Sequence, residues 1–155
     1  MPAERIRKVD TGRFAVSTLL KGMKLEFVFP WPTSTGGWLA FLSAAATVAF
    51  GLLLFFAPRW SLRLLRLQPV PDHPEATSES RATMAGFYLG VGLACVLLDQ
   101  PLLYLALGAA WAFTAFGRLV SIALDRGNTA FNWISVIVEL VLAALPLAFV
   151  LGFVA

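Results

Sequence analysis

The chain has 155 residues, of which 59% are apolar and only 14% are charged, and its formal net charge is +3. Soluble domains are about 45–50% apolar and about 25% charged, so this composition predicts an integral membrane protein of one domain. One cysteine and one histidine exclude an intramolecular disulfide and any metal site that needs several of these residues. We expect no metal, no cofactor and no nucleic-acid partner.

Residues 1–36 form a basic N-terminal tail in front of the membrane domain. The apolar stretch from Phe14 to Leu20 is short and contains Ser and Thr, so it lacks the continuous apolar core of a secretory signal. We expect the tail to be partly disordered, or to lie on the membrane surface as a weak amphipathic helix. Pro30 and Pro32 prevent a helix from crossing the end of the tail.

Four long apolar segments follow the tail, and each is long enough to cross the hydrocarbon core as a helix. They cover about residues 37–57, 82–98, 102–124 and 130–154. Their connections are short except at residues 58–80, and short connections make consecutive helices antiparallel neighbours. The sequence therefore predicts an all-α fold, a four-helix transmembrane bundle. In the first span, Ser43, Thr47 and Gly51 form a stripe of small residues that lets another helix approach closely.

The longer connection begins with a basic segment that runs from Arg59 to Leu67. Arg59, Arg63 and Arg66 fall on one face of a helix, which predicts a short amphipathic helix parallel to the membrane surface. The alternative is the end of a span whose arginine side chains reach back to the headgroups.

The rest of this connection, residues 68–80, is polar and rich in proline. Asp72, His73 and Glu75 are residue types that bind metals. The neighbouring prolines and the lack of a second histidine favour a solvated loop instead. We therefore expect no ligand site here, and we expect the second span to begin near residue 82.

The second span carries the strongest packing signal of the sequence. Ala82, Gly86, Gly90 and Ala94 are spaced by four residues, so they share one face of a helix and include a Gly-x-x-x-Gly pattern. Membrane helices approach closely where such small residues meet, so this face is predicted to contact another helix. A phosphate-binding loop is not indicated, because no lysine follows the glycines and the segment is apolar.

Two ionisable residues lie inside the predicted spans, Arg118 in the third and Glu139 in the fourth. These spans form a hairpin about residues 125–129, and the depths of the two residues differ by roughly 6 Å at 1.5 Å per residue. An arginine side chain can reach across that distance, so we predict a bidentate Arg118–Glu139 pair. Arg81 is the second candidate partner of Glu139.

Several polar residues at the same end of the bundle are expected to complete this network: Tyr88, Ser121, Asn132 and Ser135. The network has two interpretations. It is either a structural pair that fixes the register of the helices, or a site for a polar headgroup, an ion or a proton.

The chain combines an acidic residue and an arginine at the start of the second span, glycines within it, a late arginine in the third span and a glutamate–leucine pair in the fourth. The residues are Glu79, Arg81, Gly86, Gly90, Gly92, Arg118, Glu139 and Leu140. Over about residues 37–155 this pattern resembles a family of small bacterial four-span membrane proteins of unknown function, some of which carry a phage-infection label. Ala85 departs from the family, whose members usually have two adjacent glycines there, and the long tail is unusual for it. A more distant likeness extends to other small four-span proteins, such as the DoxX-like ones.

The sequence contains no Ser-His-Asp set, no Cys-His pair, no carboxylate dyad and no nucleotide-binding loop, so an enzyme is not expected. We expect a non-enzymatic integral membrane protein that acts through contacts with lipids, a partner protein or further copies of itself. Its role would be that of an accessory or assembly factor, or of a host component used in phage infection. The alternative is a binder or transporter of a small molecule, lipid or ion at Arg118 and Glu139.

The expected location is the bacterial inner (plasma) membrane, with both termini on one side because the number of spans is even. Orientation depends on cationic residues within about 15–20 residues of a span. By this rule the side of the termini keeps Lys21 and Lys24, and the other side keeps Arg59, Arg63, Arg66, Arg81 and Arg126. The rule favours both termini outside. A start of translation at Met23 would shorten the tail that has to be translocated.

Overall fold

The computed structural model describes residues 28–155, so most of the predicted tail and the alternative start at Met23 lie outside the described residues. All regular elements of the described part are helices: α1 is Thr35–Phe56, α2 is Pro58–Leu64, α3 is Glu75–Leu98, α4 is Pro101–Leu124 and α5 is Ala130–Val150. All of these except α2 are long and apolar enough to cross a membrane. The predicted all-α fold with four long apolar helices is confirmed.

Helix α3 begins at Glu75, about two turns before the predicted start at residue 82. Pro74 precedes its first turn with φ −71°, a value that suits a helix start, and Glu75 lies where the helix dipole favours a negative charge. The segment Ser80–Met84 is π-helical, and the α-helix resumes over Ala85–Leu98. Part of the predicted loop is thus the first portion of the helix.

Helix α5 ends at Val150, short of the predicted end at residue 154. Gly152 has φ +75°, and its N–H donates to the carbonyl of Phe149 at 3.1 Å. The N–H of Phe153 donates to the carbonyl of Ala148 at 2.9 Å. These two bonds form a Schellman motif, which closes a helix at a glycine with positive φ.

The predicted helix in the longer connection is present as α2, with Ser61 and Leu62 buried and Arg59 and Arg63 exposed. Arg66 departs from the predicted face of three arginines. It lies beyond the end of α2 with φ 59°, and its guanidinium carbon is 4.8 Å from the centre of the Phe131 ring. The basic face of α2 therefore consists of two arginines.

The bundle is two helix pairs, α1 with α3 and α4 with α5, joined mainly through α1 and α5. Glycines make the closest approaches possible. A Cβ atom added at Gly51 would lie 2.8 Å from Leu89 Cγ, and one added at Gly92 would lie 2.7 Å from Val48 Cγ2. Within the small-residue stripe predicted on α1, Gly51 therefore packs against α3, whereas Ser43 bonds α5 and Thr47 bonds α4.

The contact predicted for Ala82, Gly86, Gly90 and Ala94 is wrong for the helices of this chain. Ala82, Gly86 and Gly90 are exposed, and an added Cβ at either glycine would meet no atom of another helix among residues 28–155 within 4 Å. The face of α3 that packs against α1 includes Gly92 instead. Gly90 and Gly92 point about 200° apart, because each residue advances an α-helix by about 100°. Only one of them can lie against α1.

Two prolines each leave a carbonyl without its helical donor, and in both cases a serine from another helix donates to it. Pro146 lies inside α5, and the carbonyl of Leu142, four residues earlier, accepts from Ser43 Oγ at 2.7 Å. Pro58 follows α1, and the carbonyl of Leu54 accepts from Ser80 Oγ at 3.4 Å. Both serines are fully buried, so these bonds tie α1 to α5 and α3 to α1 in the interior.

Candidate functional site

Arg118 on α4 and Glu139 on α5 meet where these two helices pack together. Arg118 Nε lies 3.0 Å from Glu139 Oε1 and 3.1 Å from Oε2, and Nη2 lies 2.7 Å from Oε1. Two nitrogens of the guanidinium thus donate to one carboxylate. The predicted pair is present with bidentate geometry, which makes both groups strong partners.

Asn132 extends the pair toward the connection between α4 and α5. Its Oδ1 accepts from Arg118 Nη1 at 3.2 Å, and its Nδ2 donates to the carbonyl of Gly127 at 2.7 Å. Thr129 is the N-cap of α5, and its Oγ1 accepts from the Asn132 N–H at 3.2 Å. The guanidinium is therefore held from two directions, by a carboxylate along α5 and by an amide at the turn.

The pair lies in the interior of the helical region. The Glu139 side chain is 6% exposed and the Arg118 side chain 26%. Glu139 lies about 13 Å along α5 from its first residue. An unpaired carboxylate at such a depth is costly in a membrane, and a hydrogen-bonded guanidinium removes most of that cost. The burial of each residue in its ionised form therefore depends on the other as its partner.

Arg81 takes no part in this network, so its role as second partner of Glu139 is wrong. It is exposed, and its Nε donates to the carbonyl of Phe55 at 3.0 Å. Arg81 lies in the π-helical segment Ser80–Met84, beside the last turn of α1. The final carbonyls of a helix lack intrahelical donors, so they attract such a side chain.

A cavity of about 240 Å³ lies directly beside the ion pair, and Arg118 and Glu139 form its polar end. Side chains of α1, α2 and α5 make most of its wall, and these are largely apolar. Leu64 and Ile134 line it and are more than half exposed. The cavity therefore opens sideways between α2 and α5 instead of being sealed within the bundle.

Two aromatic residues that the sequence did not single out, Trp111 and Phe50, join Tyr88 in one wall of the cavity. Trp111 stacks on Tyr88 with 5.5 Å between ring centres, and its Nε1 donates to Thr47 Oγ1 at 2.9 Å. Phe50 packs edge-on against the same indole at 6.1 Å. In the sequence, Trp111 resembles any other packing residue of an apolar span. The one signal for its position is the polar Thr47 on α1, which accepts its indole N–H.

The sequence also predicts Tyr88, Ser121 and Ser135 as members of the polar network. Tyr88 and Ser135 line the cavity, although the Ser135 hydroxyl donates to the carbonyl of Phe131 in its own helix at 2.9 Å. Ser121 contributes its main-chain carbonyl, which accepts the N–H groups of Asp125 and Gly127 at the helix end. The expected network is thus centred on Arg118, Glu139 and Asn132.

No curated protein and no solved structure shows significant similarity to this chain. The profile of the domain of unknown function DUF4345 matches residues 37–151. The match begins at the predicted first span and extends to the end of α5, so it includes both Arg118 and Glu139. It agrees with the expected likeness to a family whose function is unknown. The chain belongs to the DUF4345 family.

Proposed function

We propose that this protein is a non-enzymatic integral membrane protein that binds a small, uncharged amphipathic molecule in the cavity beside Arg118 and Glu139. The cavity carries the proposal, because its walls are apolar and its inner end presents two polar groups. Concave apolar sites with a few convergent polar groups are the usual form of small-molecule sites.

The ion pair determines which polar group such a ligand would have. Arg118 and Glu139 neutralise each other, so a charged ligand would gain no net attraction and would still lose its hydration. A guanidinium has five N–H donors, and those facing Glu139 and Asn132 use three of them. A neutral acceptor, such as a hydroxyl or carbonyl oxygen, fits the remaining donors.

A binding role is favoured over catalysis by the pairing itself. A general base or nucleophile must be free to contact the reacting group. Both oxygens of Glu139 already accept from Arg118. Arg118 therefore holds the carboxylate in a fixed position, and this geometry supports recognition.

The test uses a diazirine derivative of octanol, which combines an apolar body with a hydroxyl, on the detergent-solubilised protein. We expect labelling of peptides from α5 and α2 around the cavity, and competition by unlabelled octanol. Val138→Trp places a large side chain in the cavity, and Val141→Trp, on an exposed position of the same helix outside it, is the matched control.

Labelling should fall strongly in Val138→Trp and stay unchanged in Val141→Trp. Equal labelling of both variants, or labelling spread evenly over the exposed helix faces without competition, would overturn the proposal.

A second candidate function is that of an accessory or assembly factor that binds a partner helix or another copy of this chain. The exposed face of α3 supports it, because nothing lies near the backbone at Gly86 and Gly90. Small residues on an exposed membrane helix allow close approach by another helix. Gly86→Leu should then reduce cross-linking to the partner and leave the melting temperature unchanged. Unchanged cross-linking would count against this role, including one as a phage-infection host component.

We propose the bacterial plasma membrane as the location, with both termini outside. The five arginines near the spans on the opposite side support this orientation. A green fluorescent protein fused after Ala155 should remain dark, and alkaline phosphatase fused at the same position should be active. The reverse pattern would place the termini in the cytoplasm.

A further inference from the structure

A second and larger cavity lies at the same end of the bundle as the ion pair, on the other side of helix α2. Its volume is about 1080 Å³, and the connection between α2 and α3 forms its outer wall. Arg59 and Arg63 from α2 and Arg81 from α3 all line it. Three guanidinium groups from two separate helices therefore converge on one space.

These three arginines carry charge that residues 28–155 do not neutralise. The ion pair of this part of the chain is Arg118 with Glu139, and His73 lies 3.5 Å from Glu75, a contact that is an ion pair only when the imidazole is protonated. Asp72 is the one carboxylate among the lining residues, so the cavity has a net charge of +2 with His73 neutral. Arg59 and Arg63 are also one helical turn apart, a spacing at which like charges repel.

The arginines are mounted on anchored backbone. Helix α2 is fixed by Ser61, whose hydroxyl donates to the carbonyls of Leu53 at 2.9 Å and Ala57 at 3.0 Å. Arg81 is fixed through its Nε on the carbonyl of Phe55, which leaves both of its Nη nitrogens for a ligand. A site with one donor group and the supporting backbone fixed in advance loses less entropy on binding.

We propose that this cavity binds a phosphate group, with Arg59, Arg63 and Arg81 as its ligands. The planar guanidinium matches phosphate oxygens through paired hydrogen bonds, and three such groups supply the charge that an anionic phosphate needs. The cavity lies where α1 ends and α3 begins, which is the level of lipid headgroups for helices that cross a membrane. The phosphate can therefore come from an anionic lipid or from a soluble phosphate compound.

The experiment has two arms, both on the full chain in maltoside micelles. In the first, native mass spectrometry measures retention of phosphatidylglycerol against an equal amount of phosphatidylcholine. In the second, inorganic phosphate and glycerol 3-phosphate are titrated into lipid-free micelles by calorimetry. The variants are Arg59→Gln/Arg63→Gln and Arg81→Gln. Arg126→Gln is the control, because this exposed arginine lies at the same end of the bundle and outside the cavity.

We expect both cavity variants to weaken binding by about tenfold or more, and Arg126→Gln to leave it unchanged. Retention of phosphatidylglycerol without binding of the soluble phosphates identifies a lipid headgroup, and the converse identifies a soluble ligand. Either result supports the proposal when the cavity variants weaken that binding, and binding that the cavity variants leave unchanged overturns it. Loss of binding in Arg126→Gln equal to that in the cavity variants, or absence of binding in both arms for the unaltered chain, overturns it.

Arg81→Gln also removes a bond to α1, so its melting temperature has to be compared with that of the unaltered chain. The double variant on α2 avoids this difficulty, because neither arginine makes a described hydrogen bond within the fold. This inference is independent of the proposed small-molecule site. The two cavities take different chemistry and share no arginine, so either can fail alone.

Discussion

Arg118 lies within the bundle and has a carboxylate of its own chain at 2.7 Å, whereas Arg59 and Arg63 lie at the end of the bundle with no such partner among residues 28–155. The difference follows from the surroundings. A lone guanidinium in hydrocarbon is very costly, so the fold must carry its counter-charge with it. At the interface, water and anionic headgroups can neutralise an arginine from outside. The chain itself supplies the counter-charge of Arg118, whereas Arg59 and Arg63 remain available to an anionic ligand.

The largest loss of stability is expected for Glu139→Ala. It leaves Arg118 buried without its carboxylate, which is expected to lower the free energy of unfolding by about 3–5 kcal/mol. Denaturant titration of the detergent-solubilised protein, followed by tryptophan fluorescence, measures the loss. Arg118→Ala/Glu139→Ala should lose less than the two single variants together. Strictly additive losses would show that the pair is not coupled.

A smaller effect is expected for Asn132→Ala, which removes the second partner of Arg118 and one of the two donors to the carbonyl of Gly127, the other being the N–H of Thr129. We expect a loss of about 1 kcal/mol, since the amide is partly accessible to solvent. Asn128→Ala is the matched control, because that amide bonds only the exposed indole of Trp133 in the same turn. If both variants lose the same stability, the contact with Arg118 contributes nothing of its own.

The smallest effect is expected for Arg59→Gln/Arg63→Gln, measured without added phosphate or anionic lipid. The free energy of unfolding should change by no more than about 0.5 kcal/mol, and upward, because repulsion between like charges one turn apart is removed. Raising the salt concentration should produce the same small gain in the unaltered chain. A loss of several kcal/mol would mean that these arginines serve the fold, and the contrast with Arg118 would disappear.

The parts of the fold that were predicted from the sequence depend on the length and composition of single segments and on distances along neighbouring helices. Four uninterrupted apolar segments admit few structures other than four helices. The Arg118–Glu139 pair was predictable because a short turn joins two helices, and distance along each helix gives depth. Neither inference requires knowledge of how the two halves of the bundle meet.

The parts that were not predicted depend on contacts between distant segments. The spacing of Gly86 and Gly90 shows that they share a face, but it does not show which face α1 will cover. Gly92 lies at the contact with α1 because Val48 and its neighbours on α1 pack against it. The position of Arg81 likewise depends on a π-helical segment, which has no periodicity that can be read in advance.

The bond from Ser43 to the carbonyl of Leu142 has a consequence for the order of assembly. Ser43 enters the membrane with the first span, and Leu142 enters with the last, 99 residues later. The carbonyl of Leu142, which Pro146 leaves without a helical donor, can therefore accept from Ser43 only after α5 has been translated. A chain arrested before α5 would leave the Ser43 hydroxyl without this acceptor. The contact between the first and last spans of the bundle therefore forms only when the last span joins the other three.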